Sequence, residues 1–335
     1  MLRKSKAAKK WDKSELKVIR EYESSDKSYR TLHKEMVAAG SSRTFDAVKA
    51  KGYSMGLEKP NEYTLGYGPG VGYGPEITLF DIETSLIPAY IFDTGKQYVG
   101  YKAFEGAHRF MLSWSAKKLM SPDCEVQVLT PEEALAGDDS RIAQSLWDLF
   151  DRSDILVGHN SKRFDVPTAN ARFLENNFPG PPSSYDQIDT YVEAKRHFKL
   201  LSYSQDYITK MLHLPNKLAT DHTLWRKCME GDPEALKRMA KYNQGDIYGL
   251  EEVYLKFRPW MKSHPNVALY YSGDNVTRCH ACGNTHLDWE DGGDYYTRAG
   301  FFDGYRCENC YTIGRSRRTS LTKIERESLV LPTAR

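Results

Sequence analysis

The sequence contains no apolar run near the ~18 residues that a membrane-crossing helix needs. Its opening, MLRKSKAAKK, lacks the apolar core of a secretory leader. Net charge is small, at +2, and cysteine is sparse, at six residues. The missing runs argue against a helical membrane protein and make the cytoplasm the expected compartment, that of a host if the chain is viral. The small net charge excludes any reading of partners from bulk charge alone. Sparse cysteine argues against a disulfide framework. Four of the six form two C-x-x-C pairs while Cys124 and Cys228 stand alone, the usage expected of a metal site in a reducing compartment.

Charge is present but unevenly spread. Residues 1–60 carry 15 Lys/Arg against 8 Asp/Glu, residues 311–335 carry six against two, and the stretch between carries 26 against 35. Basic ends around an acidic middle suit a protein that grips a polyanion and holds cations at its working site. Hydrophobic residues make up 40% of the chain, enough for one sizeable core with smaller modules attached.

Five regions separate by composition. In residues 1–60, Trp11, Leu16, Ile19 and Tyr22 recur at near-helical spacing. A second helix is expected over Tyr29–Met36, stopped near Gly40. A third turns Phe45 and Val48 inward and Lys49 and Lys51 outward. This module resembles Myb/SANT-like or helix-turn-helix domains, which implies that Arg43, Lys49 and Lys51 face phosphates or base edges. A three-helix bundle that docks another protein is the competing reading. Residues 61–75, with GYGP twice, read as a Gly/Pro linker. Residues 76–262 hold the strand candidates ITLFDI, FMLSWSA, CEVQVLT, DILVGHN and YDQIDTY. They also hold the helix candidates DSRIAQSLWDLFDR, PTANARFLENN, SYSQDYITKML and PEALKRMAKYNQGDIYGLEEVYLKF. Early strands followed by alternation predict an α/β domain, a mixed sheet flanked by helices. Residues 275–315 hold the paired cysteines, and 316–335 read as a basic tail.

The apolar run ITLFDIETS (77–85) carries Asp81 and Glu83 at its far end. On a strand, residues i and i+2 share a face, so the two carboxylates sit side by side. At ~4 Å and an effective dielectric of about 20 they repel by roughly 4 kcal/mol, which a divalent cation would offset. A second acid, Asp165, follows the strand candidate DILVGHN and lies near the start of a helix expected to open at about Pro167. On the last long helix Tyr242 and Asp246 are four residues apart and share a face.

With these three stretches in order, the chain resembles the DEDD superfamily of 3′–5′ exonucleases, whose fold is ribonuclease H-like. The first motif, D-x-E after an apolar strand, matches Asp81 and Glu83. The second, N-x(2–3)-F/Y-D, matches Asn160, Phe164 and Asp165, and the third, Y-x3-D, matches Tyr242 and Asp246 and defines the tyrosine subgroup. The histidine subgroup places His five residues before the last Asp, where this sequence has Lys241. The segments GHN…FDVP, IDTY and YSQDYITKML look closest to bacterial and phage members. The resemblance implies two Mg²⁺ or Mn²⁺ ions. Asp81 would bridge them, with Glu83 and Asp246 helping to hold the first and Asp165 the second. It also implies that Tyr242 orients the attacking water, and that Asn160 and Phe164 place the terminal nucleotide. His159 reads as a substrate contact or a structural histidine, and Asp189 as an outer-shell acid, a solvated acid or a helix cap.

Cys279, Cys282, Cys307 and Cys310 form C-x2-C-x24-C-x2-C, a pattern that clips one tetrahedral Zn²⁺ and resembles a zinc ribbon. His280 and His286 are rival ligands. Tyr295, Tyr296, Phe301, Phe302 and Tyr305 read either as base-stacking residues or as the ribbon's core. The expected function is metal-dependent hydrolysis from 3′ ends in phage or bacterial replication or repair, with DNA ahead of RNA as partner. A polymerase, if the chain proofreads, would act in trans. The alternatives are an exoribonuclease on the same site and a non-catalytic nucleic-acid adaptor.

Overall fold

The computed structural model describes residues 11–21, 35–41, 48, 51, 74–89, 91, 98–104, 108–214, 220–271, 275–298 and 300–330. Arg43, Lys49 and residues 61–73 of the expected linker lie outside them. The chain divides into two compact units, Gly72–Gly273 and the remainder, Met1–Val71 with Asp274–Arg335. No helix among the described residues is long and apolar enough to cross a membrane.

In the N-terminal stretch, helix α1 spans Lys13–Glu21. Asp12 opens it by accepting from Glu15 N, while Glu15 reaches back to Asp12 N. Residues 35–38 are helical, as is Lys51, which is half-buried.

The larger unit is built on five strands: β1 (Ile77–Thr84), β2 (Met111–Lys118), β3 (Glu125–Val128), β4 (Ile155–Gly158) and β5 (Asp186–Asp189). Their order is β3-β2-β1-β4-β5, with β1, β2 and β3 antiparallel in succession and β4 and β5 parallel to β1. This is the mixed α/β, ribonuclease H-like arrangement that the sequence predicts. β1 lies in the middle and is covered on both faces, which is why Ile77–Phe80 is buried throughout, the one polar side chain, Thr78, sharing a hydrogen bond with the Ser153 hydroxyl. Its even-numbered side chains face α3 (Ser140–Arg152), with the Phe80 ring edge-on to Phe150 at 4.9 Å. Its odd-numbered ones face the long helix α8 (Pro233–Phe257). The remaining helices are α2 (Pro131–Ala136), α4 (Asp165–Glu175), α5 (Thr190–His197), α6 (Gln205–Met211) and α7 (His222–Met229).

Two buried ion pairs lock helices to this sheet. Lys117 on β2 meets Glu251 on α8, whose other oxygen accepts from Met120 N. Arg172 on α4 meets Asp139, which also accepts from Met111 N at the start of β2. In both pairs each carboxylate oxygen accepts a hydrogen bond, which helps a buried charge to be tolerated. Helix α4 opens at Asp165, two residues before the expected start at Pro167. Proline is accommodated there because first-turn N–H groups have no intrahelical acceptor.

In the cysteine-bearing region, β8 (Gly300–Cys307) is the central strand, pairing with β6 (Leu287–Asp288), β7 (Asp294–Thr297) and β9 (Ile313–Arg315). Tyr305 is its core side chain; a Cβ on Gly314 would sit 2.3 Å from that ring, so only glycine fits. Beyond it, the stretch expected as a tail forms a short helix, Lys323–Ser328, opened by a Thr322/Glu325 capping box.

Candidate functional site

Strand β1 delivers Asp81 and Glu83 to the face that α8 covers, opposite Ser115 and Ser113 of β2. Helix α8 delivers Asp246. Carboxylate oxygens of these three residues lie within 4.8 Å of one another. Three hard oxygen donors in that space match Mg²⁺ or Mn²⁺ in ligand chemistry, so the residues present fit the ion the sequence predicts. They border a pocket of about 350 Å³ whose other lining residues are His159, Asn160, Tyr191, Ser204, Gln205 and Asp206.

Asp165 stands apart from this triad. It is buried in the first turn of α4, where Oδ1 accepts from Ile82 N at 3.3 Å. Burial pushes its carboxyl up to about 7, against the pull of the Ile82 N–H. Tyr242 is largely buried, its ring 5.7 Å from that of Trp225, and is not among the pocket's lining residues. Phe164 packs against the core, with the Arg109 guanidinium over its ring. Asn160 does line the pocket, at a left-handed φ of 61° that asparagine adopts more readily than most residues. The turn it occupies folds back on β4 so closely that a Cβ on Gly158 would lie 2.4 Å from Ser161 Cβ. Of the basic residues expected to face nucleic acid, Lys51 belongs to the other unit, and Arg43 and Lys49 lie outside the described residues.

The structure adds residues that the motifs do not name. Asn243, fully buried, donates to Asp81 Oδ2 at 2.7 Å, and its Oδ1 accepts from the Ser113 hydroxyl. Asp189 is buried and caps α5 through Tyr191 N and Val192 N, while accepting from Asn160 N and Lys162 N. It welds the Asn160 turn to α5, so capping is the reading that holds and surface solvation is excluded. His159 donates through Nε2 to the Tyr203 carbonyl at 2.9 Å and meets the Thr190 hydroxyl through Nδ1 at 2.8 Å. Both nitrogens serve as struts between β4, α5 and the segment before α6. Gln205 donates to the backbone carbonyl of Asp246 at 2.7 Å, tying α6 to α8 at the residue that carries the carboxylate.

In the ribbon, ligand atoms of Cys279, Cys282, Cys307 and Cys310 also lie within 4.8 Å of one another. The Cys279–Cys310 and Cys282–Cys307 sulfurs are each 3.6 Å apart, near the ~3.8 Å edge of a tetrahedron with Zn–S of ~2.3 Å. Hydrogen bonding to Cys279 and burial push the Cys282 thiol well above the usual range, as expected of thiols crowded around an ion's place. His280 instead pairs with the Tyr305 hydroxyl.

Residues 125–258 match the family model described as the RNase_H superfamily. The match takes in Asp165 and Asp246 and begins after β1. Among similar solved structures is the family B DNA polymerase from the hyperthermophilic archaeon Pyrobaculum calidifontis. It is 16% identical, with a TM-score of 0.38 over 55% of this chain and 25% of that one. The chain thus spans about a quarter of that polymerase's length. No curated protein matches the sequence.

Proposed function

We propose that the larger unit is a metal-dependent 3′–5′ exonuclease acting on DNA ends in replication or repair, with the flanking regions as nucleic-acid-binding modules. The observation that carries this reading is the convergence of Asp81, Glu83 and Asp246 within 4.8 Å at the rim of a pocket on a ribonuclease H-like sheet. The polarity and the preference for DNA rest on the likeness of the three motifs to DEDD exonucleases.

When bound, two Mg²⁺ or Mn²⁺ ions supply a water-derived nucleophile at neutral pH and charge stabilisation for the departing 3′ oxygen. Asp81, Glu83 and Asp246, with Asp165 in its ionised form, would hold them. Asn243 fixes the orientation of Asp81, and Gln205 fixes the backbone under Asp246. Asn160 bounds the terminal nucleotide, and Phe164 supports that wall from the core side. Tyr242 keeps the water-orienting role that the third motif implies. Cys279, Cys282, Cys307 and Cys310 hold one structural Zn²⁺, closed to substrate because four thiolates complete its shell.

The test is hydrolysis of matched 5′-labelled DNA and RNA oligomers by the wild type, Asp81→Ala and Asp246→Ala with Mn²⁺. Stepwise shortening of DNA by the wild type alone supports the proposal. Preference for RNA moves the substrate class, and salt-sensitive binding without turnover makes the chain an adaptor. Undiminished activity in either variant removes the two-ion assignment.

A further inference from the structure

Tyr191 lines the wall of the pocket that the carboxylates border. Its ring is edge-on to His159 at 5.8 Å and to Tyr203 at 6.1 Å. Lys195, one turn further along α5, holds its ammonium 5.2 Å from the Tyr191 ring centroid and 5.9 Å from that of Tyr203. The wall is stiff, because Asp189 caps α5 and the His159 struts clamp Tyr203.

Position sets Lys195 apart. Arg196 is matched to Glu193 and Lys210 to Asp206, whereas Lys195, like the exposed Lys162, Arg163 and Lys199, pairs with no acid among the described residues, and it alone of these lies over the pocket's tyrosine. Lys195 is exposed and has no carboxylate partner among the described residues; its contacts are two aromatic rings. An uncompensated cation beside an aromatic face, next to an acidic pocket, complements a ligand with alternating anionic and flat groups. A nucleic-acid strand has that alternation.

We infer that Tyr191 and Lys195 form the contact for the strand leading into the pocket, Tyr191 taking an unpaired base or its sugar and Lys195 the adjoining phosphate. This deepens the exonuclease reading and rests on it for the identity of the pocket. It also favours a strand end whose terminal bases are unpaired, since within a duplex both faces of a base are stacked on its neighbours and closed to a ring.

The experiment compares full-length wild type, Tyr191→Leu and Lys195→Gln. Binding of a labelled single-stranded DNA 12-mer and its blunt duplex is followed by anisotropy in EDTA across a KCl series, and turnover with Mn²⁺. Lys195→Gln is expected to weaken single-strand binding about five- to tenfold and to reduce the salt slope by about one. Tyr191→Leu is expected to raise KM for the single strand about tenfold, with little effect on duplex binding. Both variants should keep the wild-type Mn²⁺-induced rise in melting temperature, which shows that fold and carboxylates are intact. Wild-type affinity and salt slope in both variants would overturn the inference while leaving hydrolysis in place. Binding lost as expected, with no hydrolysis by the wild type, would support this wall and sink the exonuclease reading instead.

Discussion

The side-chain amide of Asn243 donates to Asp81 Oδ2 at 2.7 Å, joining helix α8 to strand β1 across 162 positions of sequence. The amide's orientation follows from its partners, because Oδ1 accepts from Ser113 while Nδ2 faces the carboxylate. The donor is neutral. It can fix one oxygen of Asp81 without cancelling the negative charge on which a divalent ion depends, whereas a lysine in that place would compete with the ion.

Asn243→Ala is therefore expected to raise the Mn²⁺ concentration for half-maximal thermal stabilisation by roughly tenfold. In EDTA it should cost about 1–3 kcal/mol of stability, the penalty for leaving buried partners unsatisfied. Calorimetric melts across a Mn²⁺ series check both. A purely structural role would lower the EDTA melting temperature and leave the Mn²⁺ midpoint where it was.

Asp165 gives the metal-free protein a pH dependence of defined sign. Its folded-state pKa, about 7, lies above the ordinary 3.8, so between those values the folded chain keeps a proton that the unfolded chain has lost. The stabilisation is complete below the unfolded value and disappears as pH rises through about 7. In EDTA, the wild type should lose stability relative to Asp165→Asn from pH 5 to pH 7.5, by no more than a few kcal/mol. A flat difference between the two proteins over that range would contradict the burial argument.

Strands β1 and β4 are legible as short, largely apolar runs, and β1 carries its acids at spacing two, whereas β3 and β5 mix polar and apolar residues too briefly to stand out on their own. The Tyr242/Asp246 helix was legible because it is long and periodic. Helices α2, α5 and α7 were missed in the sequence, being six to eight residues long with little room for periodicity. Their caps at Thr130, Asp189 and Asp221 were nonetheless written there. Asn243 could not be found: one place after Tyr242, it is an ordinary polar residue on a helix until β1 is laid beside it. Tyr191 and Gln205 are of the same kind, significant only through partners brought in by the fold.

The cysteine centre should depend on its ion. Cys279→Ser is expected to release about one Zn²⁺ per chain by native mass spectrometry and to expose the ribbon's single core tyrosine, Tyr305, to proteolysis nearby. Hydrolysis by the larger unit should persist, because none of its carboxylates involves a cysteine ligand. Unchanged zinc content would count against a four-thiolate site.

The Asp139–Arg172 pair gives the sharpest stability prediction. The Asp139 side chain is fully buried and engages Arg172, Asn176 and Met111 N, so it pins α4, and with it Asp165, to the edge of β2. Asp139→Ala leaves the buried guanidinium with only the exposed Glu175 as counter-ion and strands its inner N–H groups, a change that costs up to about 3–5 kcal/mol. For a unit of this size that corresponds to a fall in melting temperature on the order of 10 °C. Lys323→Ala supplies the contrast, since its partner Glu327 is 3.8 Å away and both side chains are exposed. It should change stability by less than about 1 kcal/mol. Equal effects from the two substitutions would mean that α4 is held to the sheet by something other than this pair.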